Sequence, residues 1–269
     1  MWSVNHFITS GGNVYAWFDA SRPETLITQT TSSVDYVNRW SSLVAGSTRY
    51  FELASLSRRP YYLKSGVVGH PCVMFDHSNS EANCDYLSGA SFGSWNTGSF
   101  ALNIVVACRQ TGPTVRAATG DTTENQMMVV GWNGAHAGIY LGSNASGSQT
   151  SVVGTWWNNG ATSNLTPGSY LNSTGKLSAV WQTINGITSG NFYQTMYPYN
   201  YKTVVTSTTL TNRRTYAASN LKLGTAETTS TTFAWPLYGE IHEVIFISGN
   251  ISNATKKKAL EYLRAKWGP

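Results

Sequence analysis

The chain has 269 residues, only 12% of them charged, and its net charge of +5 sits mostly at one end. Lys256, Lys257, Lys258, Arg264 and Lys266 against Glu261 give the segment from Asn253 onward +4, leaving +1 for everything before it, which excludes a phosphate-tracking nucleic-acid groove with cations spread over a face. Ser, Thr and Asn fill 84 positions and Trp, Tyr and Phe another 34, so the polarity is neutral and ring-rich; disorder is excluded, and so, with no stretch approaching 18 apolar residues, is a membrane-spanning helix.

In chain order, the first seven residues, Met1 to Phe7, have neither a basic nor an apolar signal-peptide region, so folding in a cytoplasm is expected. Short β-prone runs divided by Gly, Asn, Ser and Thr then follow, the rhythm of a sandwich or barrel. Strands are predicted at 14–18, 67–75, 100–108, 127–131, 138–141, 151–157, 177–184, 201–210, 220–223 and 237–247. The clearest is 100–108, where Phe100, Leu102, Ile104, Val106 and Cys108 alternate with Ala101, Asn103, Val105 and Ala107 and so share one core face. Residues 33–44, with Val34, Val37 and Trp40, read as a short helix. A second helix is predicted over 253–268, capped by Ser252 or Asn253, striped by Leu260, Leu263 and Trp267, and ended at Gly268. Its first-turn lysines oppose the helix dipole by about a few tenths of a kcal/mol each, which the apolar stripe must outweigh.

No linker or repeat divides the chain, so a single domain over 1–269 is expected. Cys72, Cys84 and Cys108 are too few for a disulfide framework, although the first two remain a possible pair.

Several stretches together resemble a known family. Trp17-Phe18-Asp19-Ala20-Ser21, Trp40, Arg59-Pro60-Tyr61, the run from Gly69 to Asp76, and Asp85-Tyr86-Leu87 are similar to the opening half of concanavalin A-like (laminin-G-like) jelly-roll domains of bacterial and phage proteins. Leu221 to Gly224, Tyr238 to Ile245 and Ala259 to Gly268 resemble that family's final strands and small closing helix. The resemblance implies an all-β, two-sheet antiparallel jelly-roll sandwich with a short C-terminal α-helix. Two places depart from the family: an insertion from His77 to Cys84, and Met196-Tyr197-Pro198-Tyr199-Asn200-Tyr201 where an Asn-Gly hairpin is usual. The family spans lectins, glycan hydrolases, adhesins and virion parts, so the fold leaves the activity open.

Hydrolases of this superfamily carry acids at i, i+2 and i+4 on one strand face, and nothing here matches. Glu240 and Glu243 are three apart, which points them to opposite faces unless a bulge intervenes. Gly89-Ala90-Ser91-Phe92-Gly93 fits a nucleophile elbow in spelling, but a turn-former and a strand follow where the elbow requires a helix. His70, Cys72, His77 and Cys84 have no compact zinc spacing. Asp76 and Asp85 resemble the loop-rim calcium positions of related domains but lack a ligand-dense loop, so no metal or other cofactor is expected.

Sugar recognition needs flat rings for a pyranose C–H face and short neutral polar groups for its hydroxyls. Trp156, Trp157 and Asn158 at a strand end, and Tyr197, Tyr199 and Tyr201 in an edge segment, are the candidate carbohydrate-binding residues; core packing or a subunit contact is the competing reading of each. The expectation is a non-enzymatic bacteriophage virion protein, a head decoration, fibre or tail component made in the host cytoplasm. Its expected partners are other virion proteins, further copies of itself and cell-surface glycans, with no nucleic acid and no membrane insertion. The alternatives are a free bacterial lectin or adhesin module acting outside the cell and, third, a glycan hydrolase.

Overall fold

A computed structural model describes residues 13–76, 84–89, 92, 94–95, 101–111, 125–132, 138–143, 150–158, 161–165, 177–185, 192–198, 205–210, 216–217, 221–227, 233–234 and 236–268. Their fold is an antiparallel β-sandwich with one C-terminal helix. One layer holds β1 (Asn13–Asp19), β6 (Cys72–Phe75), β9 (Ala101–Gln110), β14 (Leu177–Asn185), β15 (Phe192–Pro198), β16 (Val205–Leu210) and β21 (Gly239–Ser248). Across it the order is β16-β15-β14-β9-β21, and the far edge of β21 is shared, β6 pairing residues 239–241 and β1 pairing residues 243–248.

The other layer holds β2 (Leu26–Thr31), β3 (Val34–Ser41), β4 (Tyr50–Glu52), β7 (Leu87–Ser88), β10 (Asn125–Trp132), β11 (Gly138–Ser143), β12 (Thr150–Asn158), β13 (Ala161–Leu165) and β18 (Leu221–Leu223). Its order is β2-β3-β4-β7-β18-β10-β11-β12-β13. β5 (Tyr61–Leu63) joins the layers by pairing with both β3 and β6. Two short ribbons stand apart, β8 (Ser94–Trp95) with β17 (Tyr216–Ala217), and β19 (Ala226–Glu227) with β20 (Phe233–Ala234).

The space between the layers is filled by alternate residues of both. Phe18, Phe75, Ile104, Val106, Cys108 and Phe246 of the first layer meet Trp40, Phe51, Leu87 and Leu221 of the second, with Phe18 edge-on to Trp40 and Phe51. The alternation of 100–108 is therefore real for Ile104, Val106 and Cys108, but the opposite face is not solvent: Asn103, Val105 and Ala107 are fully buried too. They lie beneath α1 (Asn253–Trp267), whose Ala259, Leu260, Leu263 and Trp267 cover Val105, Trp181, Ile245 and Ile247. Ser252 caps α1, its Oγ accepting from Thr255 N at 3.2 Å. Gly268 follows in extended backbone, φ −75°. It is small there because a Cβ would stand 2.5 Å from Arg264 O.

The expected helix over 33–44 is instead strand β3. Ser32 and Ser33 both adopt positive φ (51° and 65°) and make the two-residue turn of a β2–β3 hairpin, the backbone hand that such tight hairpins require. The helix-like spacing has a local cause. β2 pairs Ile27 with Arg39 but Thr28 with Val37, so Asn38 is an extra residue, and this bulge brings Val37 and Trp40, three apart, onto one buried face. The predicted strand at 67–75 shrinks to Cys72–Phe75, and Gly66 to His70 form a turn closed by Gly66 N donating to His70 O. All three cysteines are buried free thiols, so Cys72 and Cys84 are not a pair.

Candidate functional site

The residues predicted to bind sugar fall in different layers. Trp156, Trp157 and Asn158 end β12 opposite Ser163, Thr162 and Ala161 of β13. Tyr197 lies on β15 opposite Trp181 of β14, while Tyr199 and Tyr201 are outside the described residues. The four residues of the zinc spelling do not converge either. Cys72 lies by Glu240, Cys84 faces Thr225 and Arg58, His70 approaches Gly268 O, and His77 is outside the described residues.

The two strand acids are brought to one face after all. In the β9–β21 ladder Ile241 opposes Cys108 and Glu243 opposes Ala107, so His242 is bulged out of register. Ile241 and Val244 consequently enter the sandwich core, and Glu240, His242 and Glu243 all turn toward the end of α1. Glu243 accepts from Trp17 Nε1 and Trp267 Nε1, each at 2.7 Å, and from Lys266 Nζ at 2.9 Å. Lys266 Nζ also reaches Asp19 Oδ2 at 2.6 Å. Glu240 Oε1 accepts from Val67 N at 2.6 Å, and its Oε2 lies 3.3 Å from His242 Nε2 and 3.9 Å from Arg109 Nε. His242 Nδ1 donates to Pro71 O at 2.9 Å, since a carbonyl can only accept. The imidazole stacks on Trp267 at 5.1 Å, and Arg109 donates to Trp267 O.

Burial pushes Glu243 up to about 7 against the pull of Lys266. For Lys266 burial acts downward, but Glu243 and Asp19 outweigh it and its pKa rises. In Glu240 burial acts upward, yet the neighbouring His242 imidazole and the hydrogen bond from Val67 N prevail and hold the carboxyl below its usual range. The Glu240 and Glu243 side chains are fully buried, so nothing the size of a substrate reaches them. The arrangement is a buried polar clamp on the last turn of α1.

An open constellation lies elsewhere, where β5 bridges the layers. Thr31, Tyr36, Leu56, Ser57, Arg59, Tyr61, Asp76 and Asp85 line a cavity of about 510 Å³. Tyr36 and Tyr61 are direct partners across β3 and β5, which sets their Cβ atoms roughly 4.5–5.5 Å apart on one side. Both are half-buried. Tyr15, Tyr50, Tyr86 and Tyr262 each carry a cation over the ring, whereas the rings of Tyr36 and Tyr61 have no such neighbour among the described residues. Burial, then Asp76 and Asp85, push Tyr61 up to about 12. Asp85 is only 8% exposed. Burial raises it to about 7, although Asp76 N donates to its Oδ2 at 3.0 Å and acts the other way.

Sequence reading singled out Arg59, Tyr61, Asp76 and Asp85 for other reasons and missed Tyr36, whose segment was read as helix. The rim pair Asp76 and Asp85 was the available signal.

No protein-family model matches the chain, and no curated protein matches it. Solved structures do. An arabinofuranosidase complexed with arabinofuranosyl-alpha-1,2-xylobiose superposes with a TM-score of 0.53 at 11% identity, over 96% of this chain and 60% of that one. A mutant GH54 α-L-arabinofuranosidase soaked with 4-nitrophenyl α-L-arabinofuranoside gives 0.52 at 11% identity over the same shares. The botulinum neurotoxin serotype G binding domain gives 0.51 at 12% identity, over 94% of this chain and 51% of that one. The chain thus spans half to three-fifths of the length of these structures, and what it shares with them is the antiparallel β-sandwich fold.

Proposed function

We propose that this chain is a non-catalytic carbohydrate-binding sandwich. The observation that carries the reading is the contrast between its two polar constellations. The paired acids that hydrolysis needs are sealed under α1 in contact with indoles and cations, while the open cavity at β5 offers half-buried tyrosine rings, hydroxyls and carboxylates. Rings take the apolar face of a pyranose and acceptors take its hydroxyls, with neither group having to change chemically. The arabinofuranosidases of similar fold are complexed with a saccharide or soaked with an arabinofuranoside, which supports the ligand class but not the reaction.

The setting we propose is the exterior of a bacteriophage particle, where the chain would contact other virion proteins and copies of itself while touching cell-surface glycans. A weakly charged surface rich in Ser, Thr and Asn on a two-layer core suits such an outer part.

A glycan array probed with the intact chain tests the binding: one or more saccharides are retained and none is hydrolysed. Retention of none refutes it. Turnover abolished by Glu240→Gln or Glu243→Gln would make the chain a hydrolase instead. Sedimentation with purified phage particles tests the setting, and absence of the chain from them removes it.

A further inference from the structure

Two carboxylates, Asp76 and Asp85, line the β5 cavity. Asp76 is exposed, and Asp85 uses Oδ2 for Asp76 N while no described residue donates to its Oδ1. Carboxylates accept and cannot donate while ionised, which for Asp85 holds above about pH 7. The guanidinium in the same wall is turned away: Arg59 donates from Nε to Leu53 O at 2.7 Å, from one terminal nitrogen to Gln29 Oε1 at 2.8 Å, and from the other to Ala54 O at 2.5 Å. Its neighbour Arg58 is directed at Cys84 O and covers the Tyr86 ring. The cavity therefore presents carboxylates, hydroxyls and rings, with the Arg59 guanidinium in its wall engaged by the fold.

We propose that this cavity is the saccharide site and that it selects uncharged, hydroxyl-donating sugars over sugars carrying a carboxylate. The proposal rests on the carbohydrate-binding reading above. Two hydroxyls of a neutral sugar donate to Asp85 and Asp76, and its C–H face lies on Tyr36 and Tyr61. An acidic sugar brings a third anion beside those two carboxylates, while Arg59 is already engaged with Leu53 O, Gln29 Oε1 and Ala54 O.

The test uses matched pairs on one array, lactose beside sialyllactose and xylotriose beside its glucuronic-acid-substituted form, with calorimetry at pH 8, where Asp85 is ionised, on each pair that binds. The neutral member is expected to bind about tenfold or more tightly, the size of one charge-assisted hydrogen bond. Asp85→Asn and Tyr61→Ala are each expected to weaken it about tenfold, and Tyr61→Phe to keep most of the affinity because the ring stays. Thermal unfolding confirms that each variant folds; should Asp85→Asn fail to fold, the exposed Asp76→Asn and the two Tyr61 variants decide. Preference for the acidic member overturns the selectivity. Binding that survives Asp85→Asn and Tyr61→Ala but is lost in Trp157→Ala places the site at the end of β12 and overturns the location. An array with no retained sugar removes the carbohydrate reading and this inference with it.

Discussion

Lys266→Met is the sharpest probe of the clamp under α1. The ammonium stands 2.6 Å from Asp19 Oδ2 and 2.9 Å from Glu243 Oε2, with the Glu243 side chain fully buried and that of Asp19 6% exposed. Removing it leaves two carboxylates facing each other away from water, and deleting one partner of a buried pair costs about 3–5 kcal/mol. Unfolding entropy of roughly 2.1 cal/mol/K per residue gives about 0.56 kcal/mol/K for a chain of this length, so Tm should fall by about 5–9 °C. Calorimetry at pH 8 measures this. The loss should persist in 0.5 M salt, because a buried pair is poorly screened, and should shrink at pH 5, where Glu243, already raised to about 7 by burial, takes up a proton. A fall of less than about 2 °C at pH 8 would mean that Lys266 is hydrated and that Leu260, Leu263 and Trp267 hold the helix unaided.

Asp85 and Glu243 both have native pKa values raised to about 7, chiefly by burial. The native state then binds more protons than the unfolded chain between about pH 4 and 7, so their contribution to stability falls as pH rises through that window. Urea unfolding at pH 5 and 7.5 should show Asp85→Asn flattening the dependence, and an unchanged slope would contradict the burial of that carboxyl. Glu240, held low, works oppositely, and its contribution is lost only as pH falls through its native pKa, below 4.5. Gly224→Ala should cost about 2–5 kcal/mol in the same assay, because Gly224 has φ +85° and its added Cβ would meet Phe75 Cδ1 at 2.2 Å. Ser252→Ala should cost about 1 kcal/mol by removing the cap of α1, and no change in urea midpoint would show the cap to be idle.

The parts of the fold that could be read from sequence are those where one period runs unbroken. The strand predicted over 100–108 and the helix after Ser252 follow periods of two and 3.6, and β9 (Ala101–Gln110) and α1 stand where the pattern puts them, Phe100 lying outside the described residues. The errors trace to bulges. An extra residue at Asn38 gives Val37 and Trp40 a helical spacing inside a strand, and one at His242 returns Glu240 and Glu243 to the same face despite their odd separation. A bulge leaves no composition signal, since it is fixed by the partner strand's register rather than by the bulged residue itself. Short strands such as β4, β5 and β7, two or three residues long, fall below any periodic signal.

The same reasoning explains why the sugar-binding candidates in sequence and in structure differ. Adjacent rings, as in Trp156-Trp157, are conspicuous in a sequence because they are neighbours in the chain, yet on a strand neighbours in the chain face opposite ways and make a poor platform. A platform needs neighbours across strands, and Tyr36 meets Tyr61 only because the β2–β3 hairpin turns at Ser32 and Ser33 and β5 then crosses between the layers. The carboxylates join from a third place, with Asp76 just after β6 and its N–H donating to the Asp85 carboxylate. Tyr36, Tyr61, Asp76 and Asp85 are therefore brought together by topology. The proposed binding surface lies at β5, a stretch where the chain passes from layer to layer and where acceptors can stay wet without costing the core its packing.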